Sequence, residues 1–509
     1  MNLAINSDLV EVRRSVPLRD LFEGLELNIS YSIKQVGITG LANDSRKVRR
    51  GDLFFAVPGF VTDGAKYISE AASLGARAIV TEAPDVKLDY LPVIRCGDIR
   101  KLMPAVAARF YQYPSRDIKV IGITGTNGKT TVSFLLSHLL GGSNRSWGRL
   151  GTVEYFTGKK TTRALNTTPD SIDLQKCLAE MRDYGMAGCA MEVSSHGLDL
   201  HRCDEIEFQA AVFTNLTQDH LDYHKDMESY FAAKSVLFSK FLKADGLAVL
   251  NADDARYEKL KTLCRGAKII SYSTSASRSK GGEVDLQIED LGMTGGVRKF
   301  KMIHQGRSLE GILPLLGKFN LANAAASAAT AIGSGMAAED VIESLSSAPQ
   351  VPGRVERVDE GQPYQVIIDY AHTPDALVNL LEGVDSQREK ILVFGCGGDR
   401  DKTKRPLMGG IAARLADRVF VTSDNPRTED PAKIINDILK GMPKSGKITV
   451  NEKRDEAIGQ ALASAKPGDL VIIAGKGHED YQIVGNTRHY FSDPDVVKSH
   501  LKKLGYGSS

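Results

Sequence analysis

Residues 122–132 read "GITGTNGKTTV". Gly125 and Gly128 permit a turn that exposes successive backbone N–H groups, with Thr126 and Asn127 between them. Lys129, Thr130 and Thr131 stand where a helix would begin. Amides of such a turn, together with the positive end of a helix dipole, attract phosphate oxygens. Lys129 can reach β- and γ-phosphates, and the Thr130 hydroxyl can ligate magnesium. The usual spacing would place a glycine five residues before Gly128, where this chain has Ile123. The loop indicates ATP or GTP and leaves open which, and to what end.

Phosphoryl transfer needs magnesium, and magnesium needs oxygen ligands. "GCAMEVSSHG" puts Glu192 at the end of a buried-looking strand, where a parallel sheet opens its ligand crevice. Glu192 can be a metal ligand there or simply cap the next segment. "NLTQDHLDYHKDMESYFAAKSVLF" holds Asp219, His220, Asp222 and His224, then Lys234 on an amphipathic helix beginning near Met227. His220 and His224 have zinc-like spacing without the surrounding glutamate of a zinc protease, and a lone lysine at position 234 would ordinarily snorkel to the surface.

The elements that must position these groups follow a rhythm. "ARAIVTE", "IKVIGIT", "GCAMEVS", "AAVFTNL", "GLAVLNA", "YQVIIDY", "ILVFGCG", "RVFVTSD" and "DLVIIAG" read as short buried strands. Helical periodicity, as in "TVSFLLSHLLG" and "IGQALASAK", separates many of them. The fold class is α/β with parallel sheets. A chain of 509 residues suggests about three domains. "RFYQYPSRD" and "SAPQVPGRVE" mark seams, giving 1–115, 116–350 and 351–509. "STSASRSKGGE" (273–283) reads as a surface loop within the middle domain.

Bulk properties exclude several classes. The net charge is +2, so no broad basic face argues for nucleic acid. No apolar stretch is long enough to span a bilayer, and the N-terminus shows no signal-peptide pattern. Cys96, Cys177, Cys189, Cys203, Cys264 and Cys396 form no paired motif and read as thiols in a reducing cytosol, the expected location.

"TGTNGKTT", "NTTPD", "MEVSSHGLDLHR", "TNLTQDHLDYH", "YFAAK", "LLGKFNLANAAA", "PGRVE", "DYAHTPDAL", "GCGGDRDKTKRPLMG", "DNPRTEDP" and "AGKGHEDYQ" occur in one order. In this the chain resembles the Mur ligases, from "DSRKVRRGDLFFAVPG" (44–59) to "DYQIVG" (480–485). The resemblance implies a uridine-nucleotide-binding domain, a central P-loop-type ATPase domain and a C-terminal Rossmann-like domain that receives an amino acid. It implies ATP and magnesium as cofactors, and an acyl phosphate formed on the D-glutamate side chain of UDP-N-acetylmuramoyl-L-alanyl-D-glutamate and attacked by an amine. It makes Ile123 ordinary for the family.

Residue by residue, the resemblance assigns Gly125 to Thr131 to ATP, with Asn323, Arg354, Asp369 and His372 on the far side of the nucleotide. It assigns Lys129, Glu192, His220 and Lys234 to catalysis, with Thr130, Glu192, His220 and Lys234 about the metal and Lys234 carried as a carbamate. Asn43, Ser45, Phe60, Val61 and Thr62 match uridine-nucleotide contacts. Asn166, Thr167, Thr168, Ser194, Leu200 and Arg202 match the muramoyl-peptide site. Arg400, Asp424, Asn425, Pro426, Arg427, Gly475 and Glu479 match a pocket for meso-2,6-diaminopimelate. Arg400 stands where a dinucleotide fingerprint would need glycine, so NAD is not expected. Arg427 can bind the distal carboxylate that lysine lacks, or make an ordinary turn salt bridge. A lysine-adding relative, a folylpolyglutamate synthetase and a P-loop switch that forms no bond are the competing readings.

Overall fold

The computed structural model of the chain describes residues 14–25, 35–59, 62–142, 144, 146–219, 223–275, 284–385, 389–443 and 446–507. Among them the larger sheets have four, eleven and six strands. The first is all parallel, in the order Gly40–Ala42, Asp52–Ala56, Ala78–Thr81, Val93–Arg95. Its core of Leu53, Phe55, Val80 and Ile94 is closed by the helix Ile99–Phe110, whose N-terminus Asp98 caps by accepting from Arg100 N and Lys101 N.

In the middle sheet Lys119–Thr124 lies between Gly188–Glu192 and Phe208–Phe213, parallel to both. Chain order reverses here: one connection runs to Trp147–Leu150 on one side, and a later one to Phe208–Phe213 on the other. That is a topological switch point, where ligands bind beyond the strands' C-terminal ends. Val120, Ile121 and Ile123 are buried because both faces of a central parallel strand are covered. Gly122 is required there, since a Cβ would meet the Phe208 ring at 2.8 Å. The sheet continues in parallel through Leu242–Asn251, Lys268–Ser273 and Leu286–Thr294, then antiparallel through Val297–His304 and Arg307–Leu313. Its opposite edge is the antiparallel pair Glu154–Phe156 and Thr161–Arg163.

The helix Lys129–Gly141 packs against Phe319–Gly333, whose alanines 324, 325, 328 and 329 are fully buried. Small side chains let the two axes approach closely. The third sheet runs Gln365–Asp369, Leu470–Ala474, Lys390–Phe394, Arg418–Val421, Ile448–Val450 in parallel, with Glu356–Val358 antiparallel at one edge.

All nine strands read from the sequence are present. The stretch 273–283 differs from expectation at its start: Ser273 ends a sheet strand, is fully buried and donates to Asp253 Oδ1. Residues 276–283 of that stretch lie outside the described residues. No helix of the described residues is long and apolar enough to cross a membrane. The cysteines are free thiols, with Cys96 and Cys177 only half-buried.

One buried ion pair braces the end of the strand Leu470–Ala474. Arg454 and Asp493, both fully buried, make two parallel hydrogen bonds of 2.8 and 2.7 Å, and Arg454 also donates to Ala474 O at 3.0 Å. Asp493→Ala leaves a buried guanidinium without its carboxylate and is expected to cost about 3–5 kcal/mol, whereas Arg454→Leu with Asp493→Leu recovers most of it. Hydrogen exchange in Leu470–Ala474 measures this; equal protection in wild type and Asp493→Ala contradicts it.

Candidate active site

The phosphate loop is laced to the neighbouring strand end. Thr126 N donates to Asn215 O at 2.8 Å, Asn127 N to Asn215 Oδ1 at 2.9 Å, and Thr214 Oγ1 to Asn127 O at 2.6 Å. Gly125 has φ +145° and a Cβ there would sit 1.9 Å from Thr214 Oγ1; Gly128 has φ +87° and would meet Asn323 Oδ1 at 2.3 Å. Only glycine satisfies both the backbone and the space.

Two lysines converge on this loop. Lys129 Nζ donates to Gly125 O at 3.0 Å and Thr126 O at 2.8 Å, and Lys234 Nζ donates to the same Gly125 O at 2.8 Å. Among the described residues no carboxylate lies within ion-pair distance of either ammonium. Burial, and then the Lys129 charge, push the Lys234 amine well below the ordinary lysine range; burial lowers Lys129 as well. Lys234 is 2 % exposed and its Nζ lies 4.4 Å from the Tyr230 ring centre. Its helix, Met227–Val236, is fixed by Asp226, which accepts from Ser229 N.

Glu192 ends its strand 1 % exposed. Its Oε1 accepts from Thr152 N at 2.8 Å and its Oε2 from Thr152 Oγ1 at 3.0 Å, both neutral donors. A cleft of about 520 Å³ joins Glu192 to Lys129, Thr130, Lys234, Asn323, Arg354, Asp369 and His372. Its walls come from the middle and third sheets. Asp369 is anchored by Val355 N and Ala371 N, each at 2.8 Å, yet burial raises its pKa. Arg354 lies over Tyr370 at 4.6 Å, and its Nη2 is 3.4 Å from Thr130 Oγ1.

The muramoyl-peptide candidates adjoin the cleft. Thr167 Oγ1 is 3.1 Å from Thr152 Oγ1, and Thr168 Oγ1 donates to Glu192 O at 2.9 Å and lies 3.1 Å from Ser194 Oγ. Arg202 donates to Thr168 O at 2.8 Å, Tyr155 OH donates to Asn166 O at 2.6 Å, and Leu200 lies half-buried just before Arg202. Asn43, Ser45 and Thr62 belong to the first domain and do not line this cleft. Phe60, Val61 and His220 lie outside the described residues.

In the third domain two loops meet. A Cβ on Gly397 would stand 2.9 Å from Arg427 Nη1 and 3.9 Å from Arg400 Cγ, which places both arginines about one glycine. Arg427, at φ +53°, donates from Nη1 to Gly398 O at 2.7 Å, and no acidic side chain pairs with it among the described residues. Asn425 Nδ2 donates to Glu479 Oε2 at 2.8 Å, and a Cβ on Gly475 would lie 2.6 Å from Asp424 Oδ2. A Cβ on Gly398 would approach Pro426 O to 1.9 Å. Sequence reading missed Thr152 and Thr214, which set Glu192 and the phosphate loop. Thr214 carried a signal, since it ends the strand beside the loop; Thr152 carried none.

The fold and the cleft define a three-domain enzyme that uses a nucleoside triphosphate. The pattern of the Mur ligase family catalytic domain matches residues 37–111, that of the Mur ligase middle domain 123–331, and that of the Mur ligase glutamate ligase domain 353–477. A UDP-N-acetylmuramoyl-L-alanyl-D-glutamate–2,6-diaminopimelate ligase of Synechococcus elongatus is 45% identical over 93% of this chain and 96% of its own length. One of the same name from Clostridioides difficile is 41% identical over 96% and 100%. A solved structure of a ligase so named is 33% identical, covers 97% of this chain and 100% of its own, and superposes with a TM-score of 0.65. MurF ligase from Thermotoga maritima, in complex with ADP, shares the fold at 21% identity and a TM-score of 0.64 over 91% of this chain and 97% of its own. The chain belongs to the Mur ligase family, whose members are ATP-dependent ligases.

Glu429 locks the loop that carries Arg427. Its carboxylate accepts from Asp399 N at 2.6 Å and from the fully buried Arg405 at 2.9 and 3.1 Å. The Arg405 guanidinium, with further help from Lys402, lowers Glu429 from 4.5 to about 2. The stabilisation is therefore complete above 4.5 and is lost as pH falls from there through about 2. Denaturation midpoints across this acid range are expected to fall more steeply in wild type than in Glu429→Gln; parallel curves contradict the pairing.

Proposed function

We propose that the chain joins meso-2,6-diaminopimelate to UDP-N-acetylmuramoyl-L-alanyl-D-glutamate with ATP, in peptidoglycan synthesis in the cytoplasm. In this reading residues 1–115 hold the uridine nucleotide, 116–350 carry out phosphoryl transfer, and 351–509 receive the amino acid. Relatives carrying that activity in their names, 39–45% identical over nearly their whole length, support it.

The observation that carries the amine's identity is Arg427. Its guanidinium sits beside Arg400, is bound so far only to backbone oxygen, and has no carboxylate partner among the described residues. A ligand with a distal carboxylate supplies that partner and forms a charge-assisted fork. Lysine would leave the cation unmatched, which disfavours it relative to a ligand that supplies the carboxylate. Glu479, held by Asn425, faces the same region and suits an ammonium group. Asp424, Pro426 and Gly475 shape the two loops around it.

The cleft suits the preceding step. The loop Gly125 to Thr131, through the amides at the start of its helix and the Lys129 ammonium, binds the triphosphate; Asn323, Arg354, Asp369 and His372 flank the nucleotide. Thr130 and Glu192 present hard oxygens, Glu192 with only the neutral donors of Thr152 on its carboxylate and Thr130 with Arg354 at 3.4 Å, a set that fits magnesium, with His220 and Lys234 completing the assignment. When bound, the ion neutralises charge as a carboxylate nears the γ-phosphate. Asn166, Thr167, Thr168, Ser194, Leu200 and Arg202 hold the peptide, and Asn43, Ser45 and Phe60 to Thr62 hold the uridine end. The D-glutamate carboxylate attacks phosphorus, ADP leaves, the amine attacks the acyl phosphate, and phosphate departs from the tetrahedral adduct. Closure of the cleft between two domains would keep water from the acyl phosphate.

Lys234 suits a carbamate. A depressed amine is neutral more of the time, and only the neutral amine adds to carbon dioxide. The product is an anion beside Lys129, which relieves the crowding of two cations.

Two measurements test this reading. Turnover with a panel of amino acids is expected to favour meso-diaminopimelate over lysine, and Arg427→Ala to raise its KM while leaving that of ATP unchanged; equal use of lysine by wild type overturns the assignment. Lys234→Ala is expected to lose on the order of a hundredfold in kcat with ATP affinity largely kept. Near-normal turnover removes Lys234 from the mechanism.

A further inference from the structure

The segment 161–168 touches both halves of the chemistry. Thr167 Oγ1 lies 3.1 Å from Thr152 Oγ1, which donates to Glu192 at 3.0 Å. A few residues earlier, Arg163 ends the edge strand Thr161–Arg163 and reaches out of the middle sheet to the loop that follows Leu470–Ala474. Its Nη1 donates to Asp480 Oδ1 at 2.5 Å, and its guanidinium carbon lies 4.9 Å from the Tyr481 ring centre. Arg488 lies over the same ring at 3.6 Å and 3.7 Å from the same carboxylate. The Tyr481 phenol donates to Glu479 Oε1 at 3.1 Å. One end of this segment therefore touches, through Thr152, the carboxylate of the phosphoryl-transfer cleft and the other end reaches the carboxylate of the amine site, the two joined by four residues of backbone.

An exposed ion pair alone does little, because solvent screens it. Arg163 does more than pair. Together with Arg488 it holds one aromatic ring by cation–π contact from two sides of the loop, and that ring carries the hydroxyl that orients Glu479. Among the residues that touch Tyr481 and Asp480 here, Arg163 comes from the middle domain and Arg488 from the third, and three residues after Arg163 begins Asn166–Thr168, the peptide-contact stretch. Binding of the sugar peptide and ordering of Glu479 thus share one short piece of backbone.

We propose that Arg163 is a positioning residue that couples the amine site to the phosphoryl-transfer cleft, fixing Glu479 through Asp480 and Tyr481. This rests on the reading of Glu479 as an amine-site residue. With the coupling intact, the acyl phosphate meets a positioned amine. Without it, water attacks the acyl phosphate, returning the carboxylate and releasing inorganic phosphate, so ATP is consumed without an amide.

Steady-state kinetics of Arg163→Ala and Tyr481→Phe test this, using whichever amine the wild type accepts, so that a mistaken amine does not register as a failure here. Arg163→Ala is expected to raise the KM of the amine about tenfold, to leave the KM values of ATP and the sugar peptide unchanged, and to release more than one phosphate per amide. Tyr481→Phe, which removes only the hydroxyl, is expected to reproduce the change in amine KM. An unchanged amine KM with one phosphate per amide in Arg163→Ala overturns the proposal. So does an equal rise in all three KM values, which would mean general loosening, and so does a Tyr481→Phe variant with wild-type kinetics.

Discussion

Two ammonium groups share one carbonyl oxygen, that of Gly125. Like charges so close in a poorly solvated place repel, which, with burial, holds the Lys234 amine well below its ordinary range while the framework keeps both side chains in place. The phosphate loop cannot relax away, because Thr214 and Asn215 tie it down on one side and Asn323 presses against Gly128 on the other. Lys234 is held in place, because its helix is capped, its side chain is buried and its Nζ lies over the Tyr230 ring. Both lysines are thus held at the floor of the cleft, and Glu192 is kept off them by Thr152. Without that separation the carboxylate would neutralise the lysines directly.

Much of this was legible from residue order, and the limits have physical reasons. "IKVIGIT" followed by two glycines, lysine and threonine specifies strand, turn and helix N-terminus by local chemistry alone, and the helix begins at Lys129. Buried parallel strands announce themselves as apolar runs. The antiparallel extension Val297–His304 and Arg307–Leu313 alternates charged and apolar residues and lies at a sheet edge, so it lacks that signature. Lys234 looked like a surface lysine because helical spacing says nothing about what lies across the cleft. Thr152 was invisible for the same reason: its partner stands 40 residues away in sequence.

The third domain shows how one scaffold changes its ligand. Its parallel strands end in glycine-rich turns, as dinucleotide-binding domains do. Here the glycines admit protein rather than cofactor. Gly398 lets the Pro426 carbonyl come close, and Gly397 makes room for the Arg427 guanidinium. Glu429 and the buried Arg405 then fasten the two loops together. Arginine at 400, in place of the glycine a pyrophosphate would need, belongs to the same conversion. The crevice at the strand ends is retained, while its lining has become a set of charges fixed by their neighbours.

The alanine-rich helix Phe319–Gly333 carries a further consequence for how this sequence can drift. Its buried methyls at 324, 325, 328 and 329 set the gap to the helix that starts at Lys129, and Asn323 on the same helix touches the loop at Gly128. Enlarging one of these buried methyls would overpack the contact between the two helices. The spacing between these two helices is therefore the place where the smallest added volume would disturb the most distant groups.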